Sequence, residues 1–556
     1  MSSSTTVGPG RPRYEWATRG DINAFFGLML DNLGDMILMA SLLVAVYGFP
    51  KAFVLTRMIP GTAVGVLVGD LIFTAMAFRL ARRSGRSDVT AMPLGLDTPS
   101  TFGAVFLILG PAFQAAIGRG LDPNAAASHA WFLGITMILA SGIFKVFCAS
   151  LSDWIRRVVP RAGLLGSLSA IAFVIISFLP MLDIAAMPVV GWLSLGTVLA
   201  TLTARWRLPR DIPGALAAVL LGCVVYYGLS AAGLGPGIGA GEARPSMSFR
   251  ADLPLPVDAW WRWLLENWRE AIGYLPVAIP LALATVVGGI DCTESAATVG
   301  DDYPTGQIIA AEGLATIVAG IFGGVIQSTP YIGHPAYKAM RARAAYTLAT
   351  ALFVGAAGVF GYFDWFFYLI PKSVVFPILI FVGLEITSQS FHATPRRHFP
   401  AVALACVPAL AYLCLIAIGQ ILPEVGKPFQ ELRPQTQHWI QTITVLSGGF
   451  IVTSLLWGTA LAHLIDGKIR PTVITLLLAG GFSCFGIIHS PLSSGAILPP
   501  NQVIKRLQDE GRGEASRFQT PYHWACAYGL MAVALIGLSK YGSFPAGVAG
   551  TEPPER

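Results

Sequence analysis

The chain has 556 residues, of which 54% are hydrophobic and only 12% charged. A charged fraction about half that of soluble domains excludes a soluble globular protein and indicates a polytopic membrane protein lodged in a lipid bilayer. The net charge of +6 invites a nucleic-acid partner, but the basic residues are spread over short loops, where membrane topology accounts for them without one.

Residues 1–20 form a polar, basic tail that shows no cleavable signal pattern and runs directly into a hydrophobic helix. Apolar stretches of roughly 20 residues predict spans at about 24–48, 58–78, a broken one at 89–117, then 129–150, 162–180, 185–204 and 212–233. A Gly- and Pro-rich connection with a Trp-rich amphipathic stretch at 260–268 follows. Residues 235–270 are read as an extracytoplasmic loop between two halves, 21–234 and 271–466. The second half repeats the series at about 272–299, 308–322, a broken 324–341, then 344–363, 369–390, 399–421 and 440–465. Two further apolar segments, about 471–490 and 522–541, predict an appended hairpin within 467–556. The seven cysteines lie mostly in apolar segments and form no Cys-x-x-Cys pair, so they are read as small core residues and not as disulfides or metal ligands.

Two stretches interrupt this pattern. Residues 323–338 contain Gly323, Gly324, Pro330, Gly333 and Pro335, which would break a membrane helix several times within a few turns. Residues 90–101 do the same in the first half. Each has a short extended piece, a polar amide or acid, small hydroxyl residues, a proline and a resumed helix: Asp97-Thr98-Pro99 in one, Gln327-Ser328-Thr329-Pro330 in the other. Irregular backbone survives at membrane depth only where protein or a water-filled cavity receives its polar groups. Paired broken segments in corresponding positions of two halves point to the binding site of a secondary transporter.

Placing the N-terminus in the cytoplasm puts Arg79, Arg82, Arg83 and Arg86, then Arg156, Arg157 and Arg161, then Arg205, Arg207 and Arg210 on the inside. Lys338, Arg341, Arg343, Arg396, Arg397, Lys468 and Arg470 follow, so both termini are expected in the cytoplasm, in a plasma (inner) membrane. Seven spans is an odd number. The second seven therefore enter with opposite orientation, and the two broken segments meet near the midplane, each resumed helix starting at its positive dipole end. The predicted fold is an all-α membrane protein with a 7+7 inverted repeat.

Intramembrane acids are functional candidates by default. The first span carries Asp31, Asn32 and Asp35, the two acids sharing a face; the eighth carries Asp291, Thr293, Glu294 and Ser295. Desolvation favours the protonated form of a carboxyl group and so offers a coupling chemistry for Asp31, Asp35, Asp291 or Glu294. A structural network with neighbouring hydroxyls and amides is the alternative for each. His334 is read as a proton relay or a hydrogen-bonded packing residue, and Glu312 as a structural acid tied to a neighbouring helix. The aromatic run at 362–368 reads as an interface belt, and Arg396, Arg397 and His398 as an anchor.

The stretch Ile370-Pro371-Lys372-Ser373-Val374-Val375-Phe376-Pro377 and the residues after it to Gly383 resemble the twelfth-helix motif of the hypoxanthine/guanine permease branch of the nucleobase/ascorbate transporter superfamily. Pro93-Leu94-Gly95-Leu96-Asp97-Thr98-Pro99 resembles its third-helix motif, with Asp97 where an asparagine is more usual, and Ala311-Glu312-Gly313-Leu314-Ala315-Thr316 its ninth-helix acid motif. The resemblance covers about 21–466. It implies a core domain of spans one to four and eight to eleven, a gate domain of the other six, and a homodimer. It also implies a base bound by Gln327 and an eighth-span acid, Asp291 by spacing or Glu294 by local similarity. Ser328, Thr329, Asp97, Thr98 and Asn32 complete the implied substrate contacts.

The expectation is thus a secondary-active permease, a symporter of a nucleobase or a similar heterocycle coupled to protons, with sodium second, using no cofactor and no bound metal. The rival is an anion or organic-acid transporter on the same fold, since paired helix N-termini suit anions. An enzyme would need a clustered nucleophile and base or metal-ligand spacing, and the sequence offers neither.

Overall fold

The computed structural model describes residues 14–152, 161–209, 212–235, 256–331, 333–392, 394–427, 429–492 and 498–541. Arg156, Arg157, Arg210 and most of the connection between the halves lie outside them. Ten described helices are long and apolar enough to cross a membrane, or eleven if one bent pair is a single span. This is an integral membrane protein.

The first half runs α1 (Gly20–Tyr47), α2 (Lys51–Ser84), β1 (Leu94–Leu96), α3 (Thr98–Gly118), α4 (Pro123–Ala149), α5 (Leu165–Ala186), α6 (Pro188–Thr203) and α7 (Gly214–Ala231). The second runs α8 (Ala259–Thr298), α9 (Thr305–Ile321), β2 (Ser328–Pro330), α10 (His334–Ala339), α11 (Ala345–Phe360), a short helix Phe363–Leu369, α12 (Lys372–His392) and α13 (Arg396–Leu422). It closes with α14 (Pro434–Ser447) and α15 (Phe450–Ile465). The order helix, helix, strand plus half-helix, helix recurs in both halves, and β1 pairs antiparallel with β2, so the 7+7 inverted repeat with two broken helices is present.

The halves interleave. α9 packs on α4 and α2, α11 on α2 and α1, and α8 on α4, forming the core group, while α5, α6, α7, α12, α13 and α15 pack mainly among themselves. Small residues permit this closeness: a side-chain carbon on Gly65 would lie 2.6 Å from the Ala319 Cβ, and one on Gly142 3.0 Å from the Gly313 carbonyl oxygen. Helix ends are closed by the expected chemistry. Asp122 caps α4 by accepting from the Asn124 and Ala125 amides at 3.0 and 3.2 Å, and Gly48, at φ +76°, ends α1. α11 starts on Ala344, which cannot cap, so Asp21 at the start of α1 accepts from the Arg343 and Tyr346 amides instead.

Three predicted elements differ. The Trp-rich stretch is not loop but the opening of α8, interrupted only by non-helical angles at Asn267, because no glycine or proline stops a helix between Ala259 and Ile272. Predicted span fourteen is two helices bent by 69°, with Gly449 left-handed at φ +64°. The appended hairpin is present as α16 (Ile469–Cys484) and α18 (Pro521–Tyr541), with a further amphipathic helix, α17 (Pro500–Asp509), between them. His489 fastens this extension to the bend. Its amide donates to the Gly448 carbonyl at 2.9 Å, its Nε2 meets the Tyr528 hydroxyl at 2.7 Å, and its ring stacks on Trp524.

Candidate functional site

The two broken spans meet in a two-stranded ribbon with Leu94 opposite Pro330, Gly95 opposite Thr329 and Leu96 opposite Ser328. Flanking bonds extend it: the Asp97 amide donates to the Gln327 carbonyl at 2.8 Å, and the Tyr331 amide to the Pro93 carbonyl at 2.9 Å. A ribbon inside a membrane has two outer edges that hydrocarbon cannot satisfy. Side chains satisfy both. On the β1 edge the Leu94 amide donates to Asp70 of α2 at 3.3 Å and the Leu96 amide to Asn32 of α1 at 3.0 Å. On the β2 edge the Ser328 amide donates to Thr316 of α9 at 3.3 Å, the Ser328 carbonyl accepts from Lys145 of α4 at 2.9 Å, and the Pro330 carbonyl accepts from the Cys292 thiol of α8 at 3.4 Å.

This places the predicted residues. Asn32 is completely buried and holds the ribbon backbone. Asp97 is the N-cap of α3, accepting from the Ser100 amide at 2.8 Å and from the Ser100 hydroxyl. The Thr98 hydroxyl donates to Asp35 at 3.0 Å. The remaining oxygen of Asp35 and Oδ1 of Asp31 are buried without a hydrogen-bond partner. Asp31 lies against the ribbon, its Oδ2 3.3 Å from where a Gly95 side chain would begin, and, three residues on, a side-chain carbon at Gly34 would lie 3.9 Å from Leu379 of α12. Asp31 therefore sits where core and gate helices face each other.

Gln327 turns elsewhere. With Ser100, Ser141, Ala278 and Leu281 it lines a cavity of about 20 Å³, room for one water molecule, and its Oε1 has no partner. Asp291 and Glu294 are half-buried on α8, 10 and 13 residues beyond Leu281, which at 1.5 Å per residue is about 15–20 Å along the helix. Leu281 lines the Gln327 cavity and Cys292 meets Pro330, so Asp291 stands at the Pro330 end of the ribbon and Glu294 just beyond it, toward the arginine-rich end. Thr329 faces Gly95 within the ribbon, and the Ser328 hydroxyl has no partner.

Lys145, Asp70 and Thr316 were not singled out from the sequence. Lys145 and Glu312 are both fully buried and form an ion pair at 2.7 Å, and among the described residues Lys145 is the one lysine or arginine with no exposure. Glu312 is thus tied to a neighbouring helix, as expected. A basic residue five positions before the end of a predicted span gives no sign of being buried. Only the burial of that helix end shows otherwise.

At the arginine-rich end a polar cluster pins the approach to β1. Arg86 holds Asp88 through two bonds of 2.9 Å, and Lys338 of α10 reaches the Asp301 carboxylate at 2.8 Å and the Asp88 carbonyl at 2.5 Å. His334 meets Asp301 at 3.2 Å, outside the ribbon. The Arg86 hydrogen bonds hold the Asp88 carboxyl down at about 2. Burial pushes Asp301 up, but hydrogen bonds from His334 and Lys338 outweigh it and leave it below the usual carboxylate range. Folded values below unfolded ones mean that this stabilisation is complete above about pH 4 and is lost as pH falls toward the folded values. Relative to the intrinsic rate at each pH, hydrogen exchange of residues 86–91 and 299–304 should accelerate between about pH 4 and pH 2 and stay level from about pH 7 to pH 5. Acceleration in the upper range instead would place the titration on another group.

No family model and no curated protein matches the chain, so the likeness to the nucleobase/ascorbate superfamily rests on its motifs. Among solved structures it is similar to the transmembrane domain of a cyanobacterium bicarbonate transporter, BicA, at a TM-score of 0.48 and 15% identity over 72% of this chain and 97% of that one. It is also similar to SLC26A9, at a TM-score of 0.46 and 12% identity over 94% of this chain and 91% of that one.

Proposed function

We propose that the protein is a secondary-active permease that works by alternating access across the ribbon, and that its solute is a small anion or organic acid taken up with protons. The supporting observation is Lys145, a cation buried at the crossing of two broken spans, in a fold whose half-helices begin at that crossing. Ionised, Asp31 and Asp35 would repel an anion; protonated, their partnerless oxygens become hydroxyl donors to it. Both therefore stay protonated while the anion is bound, and the proton that crosses with it is carried by another carboxyl group at the crossing.

A nucleobase is the second reading. The Gln327 Oε1 without a partner favours it, because a buried acceptor calls for a donor such as a ring N–H. Against it, the cavity beside Gln327 has room for one water molecule, and neither Asp291 nor Glu294 lines it. A homodimer and cytoplasmic termini remain part of the proposal.

The test is uptake into proteoliposomes with an inward proton gradient, comparing radiolabelled sulfate, bicarbonate and small carboxylates with purines and pyrimidines. Accumulation of an anion that collapses with a protonophore is expected. Accumulation of a purine or pyrimidine, with no anion moved, would replace this reading with the second.

A further inference from the structure

The inverted repeat is not symmetric at its ribbon. Asn32 and Asp70, from the first two spans, hold the β1 edge, and Cys292 and Thr316, from the eighth and ninth, hold the β2 edge. Span four adds Lys145, a cation, to the second edge, whereas the first is held by Asn32 and Asp70. Lys145 thus bridges two groups of different kind: the Glu312 carboxylate at 2.7 Å and the Ser328 carbonyl, part of the broken strand, at 2.9 Å.

We infer that Glu312 carries the coupling proton and that Lys145 is the positioning residue through which the ribbon senses it. With Glu312 ionised the pair is neutral. When one proton adds to the carboxylate to give the carboxylic acid, the ammonium group stays charged and the pair becomes +1, leaving a positive charge at the crossing for a monovalent anion. One proton and one such anion then cross together with no net charge moved. Charges about 8 Å apart at an effective dielectric of 20 attract by about 2 kcal/mol, so each partner should tighten the other about 30-fold.

The surroundings suit this. The Thr285 hydroxyl of α8 is given to the Ala282 carbonyl at 2.8 Å, and a side-chain carbon on Gly289 would lie 3.0 Å from the Glu312 Oε2, so α8 presents no acid there. The other titratable groups facing the pair are Asp97, which α3 engages as its cap, and the Cys292 thiol, given to Pro330; Asp70 of α2 is turned to β1. Lys145 is thus the one cation at the crossing among the described residues, and Glu312 its immediate partner.

This inference rests on the proposed anion permease, and the experiment separates the two. In proteoliposomes the unmutated protein should accumulate the anion under a proton gradient and ignore an imposed membrane potential. Glu312→Gln, which fixes the pair at +1, should lose the response to the proton gradient and take up anion under an inside-positive potential. Retention of proton-driven, potential-insensitive accumulation by Glu312→Gln would overturn the inference. Should that variant not insert, Lys145→Met with Glu312→Gln removes both charges, and its anion affinity should be about 30-fold weaker and independent of pH; affinity that still follows pH overturns it equally. If the solute proves to be a neutral heterocycle, the unmutated protein reveals that first. The inference about Glu312 then predicts one positive charge moved per solute, and none in Glu312→Gln.

Discussion

Lys145→Met should lower stability by about 3–5 kcal/mol, because it leaves a buried carboxylate without its counter-ion. The Ser328 carbonyl loses its partner in the same step, 2.9 Å away in the unmutated chain. The loss would appear as a lower unfolding temperature in detergent and a smaller monodisperse fraction on gel filtration. Removing both charges should be far milder, since replacing a whole buried pair by groups of similar volume is often neutral. The double variant Lys145→Met with Glu312→Gln is therefore expected to recover most of the lost stability. If the single variant is as stable as the unmutated chain, the pair does not hold the ribbon.

Gly61→Val should be as damaging for a different reason. α2 passes the start of the second broken span so closely that a side-chain carbon on Gly61 would lie 2.2 Å from the Gly324 amide nitrogen and 2.3 Å from the Phe322 carbonyl oxygen. These are backbone atoms, so no rotamer change relieves the clash; overpacking that forces backbone shifts costs about 1–3 kcal/mol or more. The displacement would carry into Gln327 and Ser328, three and four residues downstream of Gly324. Loss of uptake along with a lowered unfolding temperature is expected, whereas Gly118→Val, at a glycine whose added side-chain carbon meets nothing within 4 Å, should leave both unchanged. A stable, active Gly61→Val protein would show that α2 and the second break are farther apart than this packing allows.

Much of this was legible in the chain. Residues 323–338 and 90–101 announced their breaks because glycine and proline act locally, on the turn that contains them. The odd number of spans in each half then required the breaks to meet head to head, and they do, through β1 and β2. Local signals were also where the reading failed. The Gly- and Pro-rich connection suggested a loop that included the amphipathic stretch at 260–268, yet a helix continues wherever no residue stops it, and α8 begins at Ala259. The fourteenth span looked continuous because its apolar pattern is continuous. Gly449 allows the bend, and the chain at Ile487 requires it, its carbonyl oxygen lying 2.0 Å from where a Gly449 side chain would start.

By itself the sequence determined that the protein lives in a membrane, that its halves repeat, and where each half breaks, because hydropathy, helix propensity and turn chemistry act over a few residues. Which polar side chains serve the solute and which serve the backbone was decided only by the tertiary structure. The resemblance implied solute contacts at Asn32 and Asp97, and only the fold shows the Leu96 and Ser100 amides that they accept from. Nothing along the chain marked Lys145 before the fold brought it to Glu312 and Ser328. A buried polar atom takes its role from whichever unsatisfied partner the fold places within about 3 Å, and no spacing along the chain encodes that partner.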